Sequence, residues 1–146
     1  MLINNNLKLC RENLEMTQEE LGYVLGVTKG TVANWENGND SIPLRQVVKT
    51  CNQYDLSVDY ILGILRANKQ YSKISKLNKS NIGKMIKQLR EKLDYSQSVF
   101  ADECGIAQST LSLYETGKRL ISTLTLQIIC TKFNVSADEL LGRKKK

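Results

Sequence analysis

The sequence predicts an all-α protein in which two tandem copies of one five-helix domain are joined by a basic linker. A shift of 79 positions superimposes residues 7–63 on residues 86–142 without a gap, and it aligns glycines and helix caps. Apolar residues recur at helical spacing, and no segment alternates between apolar and polar residues as a half-buried strand would. Self-similarity over this length indicates two copies of one helical domain.

Caps and apolar spacing mark each helix of the first copy. Apolar residues at helical spacing predict helix 1, and a Thr-x-x-Glu capping box opens helix 2. Threonine caps helix 3, proline suits the first turn of helix 4, and serine caps helix 5. The marking residues are, in order, Leu7, Cys10 and Leu14; Thr17, Glu20 and Gly26; Thr28, Val32, Trp35 and Gly38; Pro43; and Ser57. The second copy repeats this order with Ser96, Gly105, Gly117, Ser136 and Glu139.

The absence of histidine restricts the chemistry open to this chain. It excludes Ser-His-Asp and Cys-His catalysis and every metal site that needs imidazole. The cysteines are far apart and form no C-x-x-C pair, so we predict buried apolar roles for Cys10, Cys51, Cys104 and Cys130. We therefore expect a protein that is not an enzyme and that uses neither a metal nor a cofactor.

Neither a membrane span nor a secretory signal is predicted. No apolar run approaches the roughly 20 residues that a span needs, and the N-terminal segment has no basic flank leading into an apolar stretch. We expect a cytoplasmic protein without a membrane partner. The predicted boundaries are residues 1–65 for the first domain, 66–81 for a basic linker, 82–142 for the second domain and 143–146 for a basic tail.

The middle of each copy has the form of a helix-turn-helix, in which two short helices are joined by a tight turn that contains glycine. The segments TQEELGYVLGVTKGTVANWENG and SQSVFADECGIAQSTLSLYETGKR resemble the Cro/XRE-type helix-turn-helix of phage and bacterial repressors. The resemblance covers nearly all of both copies. It implies a fold like that of the phage lambda repressor DNA-binding domain, and sequence-specific binding of double-stranded DNA in transcriptional regulation. The recognition helices, at about residues 28–36 and 107–115, would lie in the major groove.

The resemblance assigns base reading to the exposed residues of each recognition helix. Lysine suits guanine O6 and N7, asparagine and glutamine suit adenine N6 and N7, and leucine offers only an apolar contact to a thymine methyl. The implied readers are Thr28, Lys29, Gly30 and Asn34 in the first copy and Gln108, Ser109 and Leu113 in the second. Because the two sets differ, we expect the copies to read different half-sites or to read with unequal strength.

The resemblance also implies phosphate contacts and two structural ion pairs. Phosphate would be contacted at the start of helix 2 and by the loop after helix 3. The residues at those places are Gln18 and Gln97, then Lys118 and Arg119, whereas the first copy has Asn39 and Asp40 in its loop. An ion pair would hold helix 1 to the end of helix 3, formed by Arg11 with Glu36 and by Arg90 with Glu115.

The net charge of +6 is unevenly distributed along the chain. Residues 1–63 carry −3 and residues 82–142 carry zero, whereas residues 64–81 carry +5 and residues 143–146 carry +4. A basic linker between two DNA-binding domains can contact phosphates and release counterions. If flexible, it would span roughly 20 to 25 Å on average, and a partly helical linker is the alternative. For the tail, a solvated segment is the alternative to a DNA contact.

Other functions and partners stay open. The acidic first copy is also compatible with an antitoxin or a protein-interaction module, in which one copy binds a protein partner and the other binds DNA. A homodimer is a further alternative, because no feature of the sequence decides the oligomeric state.

Overall fold

The computed structural model describes residues 4–146, so the first three residues of the predicted first domain lie outside the described part. Over that range it contains ten helices and no strand, which confirms the all-α class with five helices in each copy. The chain forms two compact units. Unit 1 comprises the chain up to Lys73 together with Lys145–Lys146, and unit 2 comprises Ile74–Lys144.

Unit 1 is built from five helices. They are α1 (Leu7–Asn13), α2 (Gln18–Leu25), α3 (Lys29–Asn37), α4 (Leu44–Tyr54) and α5 (Val58–Ile61). The predicted capping box at the start of α2 is present, and the hydroxyls of Thr28 and Ser57 accept amide hydrogen bonds at the starts of α3 and α5. Pro43 precedes the first turn of α4 and does not lie within it. Inward faces of all five helices bury an apolar core that includes Leu7, Leu21, Val32, Val47 and Ile61.

Unit 2 repeats this arrangement. Its helices are α6 (Lys79–Lys92), α7 (Gln97–Cys104), α8 (Gln108–Glu115), α9 (Thr123–Phe133) and α10 (Ala137–Leu140). The hydroxyls of Ser96, Ser122 and Ser136 cap α7, α9 and α10, whereas Ala107 at the start of α8 offers no side-chain cap. Phe100 and Phe133 stack with their ring centroids 5.1 Å apart, which adds an aromatic contact to the core of unit 2.

The first helix differs between the units. Helix α6 begins at Lys79, seven residues before the position equivalent to the start of α1. Its extra turns approach the end of α8 so closely that a Cβ on Gly83 would lie 2.8 Å from the carbonyl oxygen of Glu115 and nearer still to that of Tyr114. In unit 1 the described residues 4–6 are not helical, and the backbone amide of Asn6 donates to the carbonyl of Ile61 at 2.7 Å. Glycine at residue 83 therefore allows a contact that the sequence repeat does not reveal.

The predicted basic linker is divided between the units. Asn68 accepts from the amide of Ser57 at 2.7 Å and donates to the carbonyl of Asp55 at 3.0 Å, which attaches this segment to unit 1. Tyr71 is buried in unit 1 and Leu77 in unit 2. The basic side chains of the segment are all exposed: Arg66, Lys69, Lys73, Lys76 and Lys79. The segment thus packs through its apolar and amide groups while its charges face solvent.

The basic tail also differs from a run of solvated charges. Arg143 is buried, and its guanidinium donates to the Asp138 carboxylate at 2.6 Å in an ion pair whose side chains are both almost fully buried. Lys145 forms an isolated antiparallel bridge with Tyr71 in unit 1. The first residue of the tail is therefore part of the core of unit 2, and unit 1 has Ile64 at the equivalent position.

The cysteines lie where the sequence predicts. All four are free thiols buried in the cores of the units, and burial raises the pKa of Cys10 and of Cys104 to about 11. Among the described residues, no helix is long and apolar enough to span a bilayer, and no cluster of potential ligand side chains is arranged to hold a metal ion.

We predict that Gly83→Ala lowers the free energy of unfolding of unit 2 by about 1 to 3 kcal/mol, because the added methyl group overlaps the end of α8. Thermal unfolding followed by circular dichroism measures the change. The single tryptophan, Trp35, lies in unit 1, so its fluorescence should report an unchanged transition. Gly30→Ala is the control, since its nearest neighbour would be the Thr28 hydroxyl at 3.8 Å. Equal stability of the Gly83→Ala and parent proteins would contradict this packing.

Candidate nucleic-acid interface

Each unit contains a compact helix-turn-helix. In unit 1, α2 ends at Gly26, whose φ of 72° is in the left-handed region that glycine adopts without strain. The next amide, of Val27, donates to the carbonyl of Gly22 at 2.8 Å and closes the turn before α3. In unit 2, Gly105 has a φ of 69° and the same bond joins Ile106 to Ala101 at 3.0 Å. The two turns thus share a left-handed glycine and the same closing hydrogen bond.

The outward face of α3 carries most of the predicted readers of unit 1. Val32 and Trp35 point into the core, which leaves Lys29, Gly30 and Asn34 exposed on the opposite side. Thr28 is exposed too, but its hydroxyl accepts from the amide of Thr31 at 3.1 Å. Because this hydroxyl completes the helix cap, it has less capacity left for a base contact.

The outward face of α8 differs from that of α3 in chemistry. Leu111 and Tyr114 are buried, while Gln108 and Ser109 are exposed and Leu113 is partly exposed. The amide of Gln108 has a hydrogen-bonding edge that fits adenine, whereas Leu113 presents only methyl groups where α3 presents Asn34. The two outward faces therefore offer different hydrogen-bonding patterns to DNA.

A buried ion pair fixes the end of each recognition helix. In unit 1 the Arg11 guanidinium donates to both carboxylate oxygens of Glu36, at 2.7 and 3.1 Å, and to the carbonyl of Met16 at 2.8 Å. The hydrogen bond to Glu36 raises the pKa of Arg11 above its ordinary value, so the guanidinium stays charged. The Glu36 side chain is 1% exposed, so breaking the pair would leave a charge buried.

Unit 2 has the same network. Arg90 donates to Glu115 at 2.7 and 3.0 Å and to the carbonyl of Tyr95 at 2.9 Å. The pKa of Arg90 is raised for the same reason, which is its hydrogen bond to Glu115. The structure thus brings together the residues of both expected ion pairs, and each pair connects the first helix of its unit to the end of the third.

The two glutamines at the starts of α2 and α7 belong to these networks. The side-chain nitrogen of Gln18 donates to Glu36 at 3.0 Å, and that of Gln97 donates to Glu115 at 3.0 Å. An amide nitrogen has two hydrogens, so each glutamine keeps one donor for a phosphate. The phosphate role stays a prediction, and the contact with the carboxylate orients the donor.

The loops after the recognition helices have the same backbone geometry in both units. The amides of Asn39 and Asp40 donate to the carbonyl of Asn34 at 2.9 and 3.3 Å. Those of Lys118 and Arg119 donate to the carbonyl of Leu113 at 3.0 and 3.1 Å. All four loop side chains are exposed. The loops therefore differ in side-chain charge and not in shape.

Two further positions on these outward faces are not among the predicted readers. Asn37 is exposed three residues after Asn34, and Ser112 is partly exposed four residues after Gln108. Residues three or four apart share one side of a helix. This spacing was the available signal, because it places Asn37 beside Asn34 and Ser112 beside Gln108 on the outward faces.

A comparison with protein families shows to which family this chain belongs. A helix-turn-helix family model matches residues 7–61 and 86–140. The chain belongs to the helix-turn-helix family. The two matches coincide with the two copies found in the sequence, and the resemblance to Cro/XRE-type regulators is confirmed.

Several curated proteins of the helix-turn-helix family are similar to part of this chain. The antitoxin PezA of Streptococcus pneumoniae is 47% identical over 64 residues, which are 44% of this chain and 40% of PezA. The transcriptional regulator AnsR of Bacillus subtilis is 43% identical over 58 residues, or 40% of this chain and 50% of AnsR. ImmR of the same organism, also a transcriptional regulator, is 38% identical over 63 residues, or 43% of this chain and 50% of ImmR. The chain spans about half the length of these relatives or less.

We predict that Arg90→Ala lowers the stability of unit 2 by about 3 to 5 kcal/mol, because it leaves the Glu115 carboxylate buried without its partner. Urea unfolding followed by circular dichroism gives the loss, while the Trp35 fluorescence transition should be unchanged. Arg11→Ala is the matched variant, and it should shift the Trp35 transition instead. A pair of variants that shift neither transition would refute a structural role for the networks.

Proposed function

We propose that this chain is a sequence-specific double-stranded DNA-binding protein that regulates transcription, with repression by occupying an operator as its mode of action. Helices α3 and α8 would each enter a major groove and read bases with their outward faces. The observation that supports this most directly is the repeated geometry of those faces. Each is exposed, begins directly after a tight turn, and is held at its far end by a buried ion pair.

The outward faces indicate what each unit would read. Lys29 can donate to guanine O6 and N7, and Asn34 or Gln108 can form a two-bond contact with adenine. Gly30 leaves a flat surface where unit 2 has Ser109, and Leu113 would contact a thymine methyl. We propose two unlike half-sites for one chain. Phosphates would be contacted by Gln18, Gln97, Lys118 and Arg119, and by the exposed basic residues between the units.

The proposed function also implies where the protein acts and which chemistry it requires. A regulator that acts on bacterial or phage operators acts in the cytoplasm, and occupancy of DNA needs neither catalysis nor a cofactor. Two relatives, AnsR and ImmR, are named as transcriptional regulators, which supports this assignment.

Selection of bound sequences from a random duplex pool tests the proposal with the full chain. We expect enrichment of a composite site that contains two different short motifs at a fixed spacing. An inverted repeat of the whole composite site would instead indicate a homodimer. A single short motif would show that only one unit reads bases. No enrichment at all would refute sequence-specific binding.

We predict that Lys29→Ala, Asn34→Ala and Gln108→Ala each weaken binding to the selected site by about 1 to 3 kcal/mol and relax the preference at one base pair. Fluorescence anisotropy with the selected duplex and with single base-pair changes measures both effects. Lys49→Ala is the control, because it removes an exposed charge from α4 and should leave the base preference unchanged. Uniform weakening on every duplex would indicate phosphate contacts instead of base reading.

A second candidate function is favoured by one relative and one property of unit 1. PezA is named an antitoxin, and residues 1–63 of this chain carry a charge of −3. In this reading, unit 1 binds a basic protein partner and unit 2 binds DNA. Lys29→Ala and Asn34→Ala discriminate the two functions, since they would leave affinity and base preference unchanged if unit 1 does not read DNA.

A further inference from the structure

The surfaces that flank the two recognition helices differ in charge. We define the phosphate rim of a unit as the first turn of its second helix and the two residues after the glycine that follows its third helix. The rim of unit 1 is residues 18–20 and 39–40, and that of unit 2 is residues 97–99 and 118–119. Acidic residues Glu19, Glu20 and Asp40 lie in the first rim, and basic residues Lys118 and Arg119 lie in the second.

Both rims lie directly beside the reading faces. In unit 1 the Gln18 side chain is bonded to Glu36 on α3, and the amides of residues 39 and 40 are bonded to the carbonyl of Asn34. The equivalent bonds of unit 2 agree with these distances within 0.2 Å. Any DNA that reaches the readers therefore also meets the rim. Because the backbones match, side-chain charge is the difference that DNA would sense.

The charged side chains of both rims are exposed. Glu20 accepts a hydrogen bond from the amide of Thr17 in the capping box, and this bond lowers the pKa of its carboxyl group. Glu19 and Asp40 are exposed carboxylates. In the other rim, Lys118 and Arg119 are exposed, and neither side chain has an ion-pair partner within residues 4–146. Unit 1 thus presents negative charge where phosphates would lie, and unit 2 presents positive charge.

We infer that the two units divide the work of binding: unit 2 supplies most of the phosphate affinity, and unit 1 engages its half-site only because it is joined to unit 2. This inference rests on the proposed function. Joining two modules by a short connection gives the second an effective concentration on the order of millimolar. A unit whose own binding is weak is then still recruited to its half-site. Unit 1 contributes base preference, and its own affinity for DNA is lower than that of unit 2.

Removal of the rim charges tests this division in the full chain. The double variant Lys118→Ala/Arg119→Ala should bind the selected composite duplex at least about tenfold more weakly and reduce the slope of log affinity against log salt by about two. Its matched control is Asn39→Ala/Asp40→Ala in the loop of unit 1. That control should bind as tightly as the parent or more tightly. Equal losses in both variants would refute the unequal division.

The reverse exchange gives unit 1 the rim of unit 2. We expect Glu19→Ser/Asn39→Lys/Asp40→Arg to bind the composite duplex about tenfold more tightly and with a steeper salt slope, because repulsion is removed and two cations are added. Glu20 is left in place because its carboxylate completes the capping box. Gln53→Lys is the control, since it adds a cation at an exposed position in the last turn of α4, about 13 Å along the helix axis from Leu44.

The outcomes separate this inference from the proposed function. Failure of the random pool to yield any motif would refute sequence-specific binding itself. A second outcome is that the pool yields a composite motif but the triple variant gains no more affinity than Gln53→Lys. This outcome would support the proposed function and refute the division between the units. A gain confined to the triple variant, with the base preference unchanged, supports the division.

Discussion

The buried arginine–glutamate pair is the interaction on which each unit depends. It joins the first helix to the end of the recognition helix, and its carboxylate also holds the glutamine that opens the second helix. Three helices are therefore oriented by one charged cluster. A buried pair of this kind adds little net stability over a well-packed apolar alternative, but loss of one partner is costly. We therefore interpret its role as fixing the angle of the recognition helix relative to the helix before it.

The backbone of the domain is repeated more faithfully than its surface. Every described residue with a left-handed φ has a counterpart in the other copy, including the non-glycine pairs Glu15 with Asp94 and Asp55 with Asn134. Such conformations are unfavourable for most residues and mark points where the chain must turn. Their recurrence shows that the path of the chain is the same in both copies. The outward residues that differ between the copies lie on this common frame.

Much of the fold could be predicted because its determinants are local. A threonine three residues before a glutamate, or a glycine after an apolar repeat, specifies a helix end without knowledge of the rest of the chain. The extended start of α6, the burial of Tyr71 and the buried pair of Arg143 with Asp138 were not predicted. The first two depend on contacts with distant segments, whereas Asp138 precedes Arg143 by only five residues. A basic tetrapeptide read alone resembles a solvated tail, and only tertiary packing distinguishes Arg143 from the lysines that follow.

The candidate site was predictable to the same extent. Side-chain type and helical phase identify the outward residues, but they do not show which hydrogen-bonding groups are already engaged. Gln18 illustrates this, since its bond to Glu36 is revealed only by the structure. The charge difference between the rims was visible in part at Lys118 and Arg119 and at their counterparts. The sequence alone does not show that the loop backbones of the two units make the same hydrogen bonds. Because they do, a difference in side-chain charge produces a different electrostatic field at corresponding positions of the two units.

A covalent tandem has a physical consequence that a symmetric dimer lacks. In a homodimer each surface residue occurs twice, so a residue that attracts phosphate does so at both half-sites. Two units on one chain are released from that constraint, and affinity and base preference can be placed in different copies. The two units of this chain have matching backbone hydrogen bonds and opposite rim charges, as expected when two copies need not carry the same surface residues. Asymmetry then follows from duplication, because the ion pair and caps must be kept in both copies while the exposed rim is free to differ.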